Sequence, residues 1–220
     1  MLIKRERYLE HIRKFYDSNL IKVLTGIRGC GKRVLLKQIK EEIMAKNNIS
    51  DDHIISIDFE DAKFSYLSNF LEINDYILSL IKDDFKCYIF LDEIQHIKQF
   101  ERLLASLKAT QNVSLFVTGS NSKLLSGRLA TLLVGRCKEF KIRPFCYEEA
   151  LMFQKANNMP LKKDSFDDYL RYGGMPQRFD YDSEEDIKDY LRDIYEGITN
   201  KDICSHYRKI NKESFTKIAN

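Results

Sequence analysis

An α/β fold, a parallel sheet flanked by helices and followed by a small all-helical segment, is predicted by three features of this 220-residue chain. Short apolar runs rich in β-branched residues recur between positions 21 and 142. Helical stripes separate them. A glycine-rich octamer joins the first run to the first stripe. Strands alternating with helices form parallel sheets covered on both faces, and such sheets bind ligands beyond the carboxyl ends of their strands. The residues at those ends are therefore where function should be sought.

The first run, Ile21-Lys22-Val23-Leu24, has the length and branching of a buried strand. Apolar residues at Leu35, Leu36, Ile39 and Ile43 then form one stripe of a helix running toward Asn47 and Asn48. Further strands are expected at Ile54 to Ile57, Cys87 to Leu91 and Val113 to Val117, with an alternating one from Lys138 to Ile142. Ile97, Phe100, Leu104 and Leu107 mark a helix between the third and fourth runs. After Pro144 the pattern is helical, with Phe153 and Leu170 on short segments. Ile187, Tyr190, Leu191, Ile194, Tyr195 and Ile198 make a longer amphipathic face.

The octamer Gly26-Ile27-Arg28-Gly29-Cys30-Gly31-Lys32-Arg33 matches the phosphate-binding loop G-x-x-x-x-G-K-[ST] except at its last position. Glycines let successive backbone N–H groups curl around phosphate oxygens, and the lysine reaches the terminal phosphates. The positive end of the following helix adds to the attraction. Gly26 through Arg33, with Val34 behind them, are thus the candidate nucleotide contacts. The final Ser or Thr of the pattern ligates Mg²⁺, and arginine cannot, having five donors, no acceptor and a permanent charge. Three readings of Arg33 stand. Its guanidinium supplies positive charge to the β-phosphate, with hydrolysis slow or absent; or it is a chance or engineered replacement of serine, one base away in codon space; or it points outward and the metal site is rebuilt elsewhere.

The third run ends in Asp92-Glu93, two carboxylates at a strand's carboxyl edge. Paired with such a loop this is a Walker B pattern, in which Asp92 holds Mg²⁺ and Glu93 polarises the attacking water. The alternative is that the pair caps the next helix, beginning near Gln95. The fourth run ends in Thr118-Gly119-Ser120-Asn121-Ser122, polar side chains that reach toward a γ-phosphate or the attacking water, or that cap a helix at Asn121 or Ser122.

Together these motifs resemble the AAA+ ATPases, and Thr25 to Lys32, Thr118 to Ser122 and Gly173-Gly174-Met175-Pro176 look like the prokaryotic branch near the archaeal-type and STAND NTPases. The resemblance covers about residues 1 to 210. It implies an AAA+-like P-loop NTPase core over residues 1–143, a helical lid over 144–210 hinged near Arg143-Pro144, and the start of a truncated C-terminal domain at 211–220. It implies ATP or ADP as cofactor, with Mg²⁺ in question because of Arg33, and Ser120 or Asn121 as sensor 1. It further implies Arg136 as an arginine finger acting on a neighbouring copy, a role that competes with that of a plain surface arginine. Pro176 would pack near the adenine, and Arg178 lies close to where a sensor 2 arginine falls. The output is that of a nucleotide-dependent switch. Relatives of this fold also handle DNA, and Lys138, Lys141 and Arg143 offer a basic strip for it; an inactive nucleotide-binding scaffold is a third reading.

Composition narrows the classes. A hydrophobic content of 44% is enough for a packed core and excludes a disordered chain. The net charge of +3, from 36 basic and 33 acidic residues, gives no bulk attraction to nucleic acid or membranes. No stretch nears the roughly 20 apolar residues of a membrane span. The N-terminus runs into charge at Lys4-Arg5-Glu6-Arg7 and lacks a signal peptide's apolar core, so a cytoplasmic protein is expected. Five cysteines without C-x-x-C spacing read as reduced thiols, and four scattered histidines lack metal-ligand spacing. Nothing resembles the Asn-Lys-x-Asp guanine motif, so adenine is the expected base.

Overall fold

The computed structural model describes residues 1–47, 49–110, 112–119, 135–160 and 165–199. Five parallel strands, β1 (Ile21–Thr25), β2 (Ile54–Asp58), β3 (Cys87–Asp92), β4 (Val113–Gly119) and β5 (Cys137–Lys141), form one sheet in the order β2-β3-β4-β1-β5. All five expected strands are present. Among the described residues the helices are α1 (Glu6–Arg13), α2 (Lys32–Asn47), α3 (Phe70–Leu80), α4 (Phe100–Ala109), α5 (Tyr147–Ala156), α6 (Ser165–Tyr172) and α7 (Glu184–Gly197).

The chain divides into two compact units. One is the sheet unit, Arg5–Gly26 and Lys32–Ile142; the other holds Met1–Lys4, Ile27–Gly31 and the described residues from Arg143 onward.

In the sheet unit, β1, β3 and β4 are buried along their whole length, as central strands covered on both faces must be. The edge strands β2 and β5 show exposed positions. Residue parity sorts the two faces, because side chains alternate along a strand. Odd-numbered Ile21, Val23, Ile55, Ile57, Ile89, Leu91, Leu115 and Val117 join Ile73 and Ile77 of α3 and Leu103, Leu104 and Leu107 of α4 in one core. Even-numbered Phe90 and Phe116 stack at 4.9 Å on the opposite face, with Tyr16 edge-on to Phe116 at 6.0 Å. Leu35, Leu36, Ile39 and Ile43 of α2 are buried as their stripe requires. Asn69 caps α3, its side chain accepting from the N–H groups of Leu71 and Glu72 at 3.0 and 3.1 Å.

Lys22 is fully buried on the even face of β1. Its Nζ donates to Ser114 Oγ at 2.7 Å and to the Ser18 carbonyl at 3.2 Å, and lies 4.5 Å from the Phe116 ring centroid. Burial, reinforced by Lys86 and Lys108 and opposed by Asp17, pushes its pKa down to about 7. In the unfolded chain lysine titrates near 10.4, so between these values the unfolded state holds the extra proton. Stability must therefore rise with pH across about 7 to 10, by an amount of order a few kcal/mol. Melting curves of the native protein and Lys22→Met over that range are expected to diverge, the native one climbing and the variant lacking that component; parallel curves would refute it.

The helical unit has a small aromatic core. Ile3, Phe145 and Ala150 are buried together, with Phe153, Tyr169 and Phe179 packed against them. The predicted face of α7 is present, yet none of the helix's residues reaches full burial, and Tyr195 is 42% exposed. Leu170 is likewise exposed, whereas Phe153 joins the core. No helix among the described residues is long and apolar enough to cross a membrane. Cys30, Cys87, Cys137 and Cys146 are free thiols, and Cys204 lies outside the described residues.

Candidate nucleotide site

The loop after β1 is shaped by glycine. Gly29 and Gly31 adopt φ of +80° and +96°, a region L-residues rarely enter, so the spacing of these glycines answers a backbone requirement. A Cβ on Gly29 would also lie 3.0 Å from Met175 Cε and 3.7 Å from the Tyr190 hydroxyl, which puts the Gly173–Pro176 segment and α7 beside the loop's apex. Gly26 and Cys30 are buried, Ile27 and Arg28 exposed, and Val34 half-buried. Lys32 opens α2. It is 5% exposed, donates from Nζ to the Gly26 carbonyl at 3.1 Å, and lies 3.5 Å from Glu93 Oε1.

Parity also assembles the carboxylates. Asp92 ends β3, Asp58 is its register partner at the end of β2, and Thr118 lies near the end of β4. All three are even-numbered and share one face. The Thr118 hydroxyl donates to Asp92 Oδ1 and accepts the Glu93 N–H at 2.9 Å. Glu93 has φ of 52°, uncommon for a residue with a side chain. It makes no side-chain cap of the short 3₁₀ turn Ile94–His96. Its carboxylate instead meets Lys32 and the Gln95 amide. The helix-capping alternative therefore does not describe Glu93, and the helix expected near Gln95 is that turn, followed by α4.

Arg33 turns its guanidinium onto this cluster. Nε lies 2.6 Å from Asp92 Oδ2, and Nη2 lies 2.8 Å from Asp58 Oδ2 and 3.1 Å from Glu60 Oε2. The hydrogen bond to Asp92, with the charges of Asp92, Asp58 and Glu60, raises the guanidinium pKa further. The contact is half-open, since Arg33 is 57% exposed while Asp92 is 7% exposed. Mg²⁺ demands near-ideal octahedral oxygen coordination. Here position 33 offers no oxygen, and Asp92, the expected metal ligand, has Oδ1 engaged by Thr118 and Oδ2 by Arg33. These residues do not fit the metal in this arrangement. Nor is there, among the described residues, a group of three His, Cys, Asp or Glu side chains that could hold one.

The other candidates fall in different places. Ser120 and Asn121 lie outside the described residues. Arg136 is exposed and precedes β5, and its carbonyl accepts the Ile21 N–H at 2.9 Å. That is the amino end of the parallel pair β1–β5, whereas the loop leaves the carboxyl end of β1. Pro176 opens a 3₁₀ turn to Asp180. Arg178 in that turn is 6% exposed, with its guanidinium 4.2 Å from the Phe179 ring centroid and its pKa lowered by burial. Lys138 and Lys141 are an odd number apart on β5 and so face opposite ways, which divides the expected basic strip. Asp58 and Glu60 escaped the sequence reading. The available signal was a carboxylate closing the second apolar run, on the same parity as Asp92.

A glycine loop between the first strand and a helix, with carboxylates at the ends of neighbouring parallel strands, defines an AAA+ type P-loop ATPase fold. Residues 18–151 match the family model described as AAA domain, and the chain belongs to that family. An uncharacterized protein of Haemophilus influenzae is 32% identical over 206 residues, 92% of this chain and 51% of its own length. Another, from Methanocaldococcus jannaschii, is 29% identical over 197 residues, 86% of this chain and 43% of its own. The chain thus spans about half the length of the curated relatives it matches. The replication initiator DnaA bound to AMPPCP and single-stranded DNA shares the fold, with a TM-score of 0.57 at 17% identity over 91% of this chain and 66% of that one.

Proposed function

We propose that this AAA+ family protein binds ATP and ADP through the loop Gly26–Val34 and works as a nucleotide-dependent switch with weak or absent hydrolysis. The observation that carries the reading is the glycine-forced loop ending on a buried Lys32 that already faces Glu93. In this reading Lys32 meets the terminal phosphates and Glu93 orients the attacking water, with Ser120 or Asn121 sensing the γ-phosphate. Hydrolysis is weak because Arg33 replaces the hydroxyl that would ligate Mg²⁺. Residues 144–210 act as the lid, Pro176 packs by the adenine, and Arg136 serves a neighbouring copy in a homo-oligomer. DNA handling is the weaker reading, given the divided basic strip.

Saturating ATP or ADP is expected to raise the melting temperature. A ligand at a hundred times its Kd adds about 2.7 kcal/mol, which for a chain of this size is roughly 5–10 °C. GTP should give a smaller shift. No shift with any nucleotide, with or without Mg²⁺, refutes the reading.

A further inference from the structure

The cluster that should hold a divalent metal is closed by the chain's own cation. We propose that Arg33 is a built-in replacement for Mg²⁺, so that the site excludes divalent metals and takes its nucleoside polyphosphate as the metal-free anion. The nucleotide half of this rests on the function proposed above; the metal half stands on the side-chain geometry alone.

Three observations carry it. Arg33 contacts Asp92, Asp58 and Glu60 together, so a metal entering at Asp92 must displace a guanidinium that two further carboxylates hold in place. The other Asp92 oxygen accepts from Thr118, whose hydroxyl oxygen also accepts the Glu93 N–H, so that side of the carboxylate is held in place by β4. Finally, Arg33 follows Lys32 directly at the start of α2 and stays half exposed. Its planar guanidinium has five donors, and those not held by the carboxylates can meet phosphate oxygens. Nε and Nη2 are engaged by the carboxylates, and no hydrogen bond from Nη1 is formed among the described residues. One fixed positive group next to Lys32 can therefore do what the metal does for phosphate charge, but cannot polarise a bound water or rearrange as a metal does.

Removing Arg33 has a definite consequence. Asp92, Asp58 and Glu60 would be left without their cation, three carboxylates gathered at the ends of two strands, and a serine at position 33 would restore a hydroxyl beside them. As they stand the three carboxylates do not make a metal site, but freed of the guanidinium and joined by a hydroxyl these hard oxygens can close on a divalent ion.

The test begins without nucleotide. Mn²⁺ is titrated into the native protein, Arg33→Ser, Arg33→Ala and Asp92→Asn, reading free Mn²⁺ by electron paramagnetic resonance and folding by the melting curve. The serine variant, or the alanine variant if serine does not fold, is expected to bind one Mn²⁺ at least about tenfold more tightly than the native protein, about 1.4 kcal/mol. Equally tight binding by the native protein, lost in Asp92→Asn, overturns the proposal. ATP and ADP affinities are then measured in Mg²⁺ and in EDTA. The native affinities should agree within about threefold, while the serine variant should need Mg²⁺ for at least about tenfold of its affinity. Native binding that disappears in EDTA overturns the proposal and leaves the nucleotide reading intact. Absence of nucleotide binding under both conditions removes the nucleotide reading, and with it the polyphosphate half of the proposal, while the Mn²⁺ titration still decides metal exclusion.

Discussion

Lys32→Ala is expected to weaken ATP and ADP by about 10- to 100-fold, the worth of roughly 1.5–3 kcal/mol for a hydrogen bond to a charged group. The lysine is the innermost cation of the loop, 5% exposed, and tied to the Gly26 carbonyl and Glu93. In the proposed site alanine removes the charge that would meet the phosphates and leaves the Glu93 carboxylate with the Gln95 amide as its partner among the described residues. Repulsion between carboxylate and phosphate then adds to the lost attraction. Equilibrium titration with a fluorescent ADP analogue reads the effect, and an unchanged melting temperature without nucleotide shows that the loss is local. An affinity within about threefold of native would show that the phosphates bind elsewhere.

The largest stability effect is expected at Gly174. A Cβ there would lie 1.9 Å from the Phe145 carbonyl oxygen and 2.9 Å from its carbonyl carbon. The two backbones are joined by the Phe145 N–H donating to the Gly174 carbonyl at 2.8 Å, so neither can withdraw without breaking that bond. Phe145 is also the centre of the helical unit's core, touching Phe153 and Phe179 at 5.5 and 6.3 Å between ring centroids. Gly174→Ala should therefore cost at least ~3 kcal/mol, a large share of a typical 5–15 kcal/mol. Gly135→Ala is the contrast. Gly135 has φ of +71° but nothing among the described residues within 4 Å of an added Cβ, so only the backbone preference is lost, about 1–2 kcal/mol. Denaturant unfolding of both variants checks the order, and a Gly174→Ala protein as stable as Gly135→Ala would contradict it.

How far the sequence could be read follows from which interactions are local. Strand positions were legible because central parallel strands are buried on both faces and therefore read as short, mostly apolar runs. The edge strand β5 was legible from its alternation. The loop was legible because the conformation at Gly29 and Gly31 is a demand on single residues. Less could be read of α7, where the apolar stripe is clear but burial depends on what packs over it, and Tyr195 stays exposed. Glu93 was read as the residue that polarises the attacking water or as a helix cap, and its side chain makes no cap hydrogen bond.

Arg33 divides the two kinds of information. That no hydroxyl stands at the metal position is a property of the sequence, as is the permanent charge that replaces it. Where the charge goes is tertiary. Asp58 and Glu60 are 34 and 32 positions from Asp92 and mean nothing beside it until β2 pairs with β3 in register and parity turns Asp58, Asp92 and Thr118 to one face. The sequence by itself determined the layered sheet, the loop and the missing metal ligand, because each rests on the chemistry of one residue or one short run. Only the tertiary structure decided that the guanidinium lies on Asp58 and Asp92 at the ends of two strands and on Glu60 in the turn after β2, because that contact is made by strand register and not by proximity along the chain.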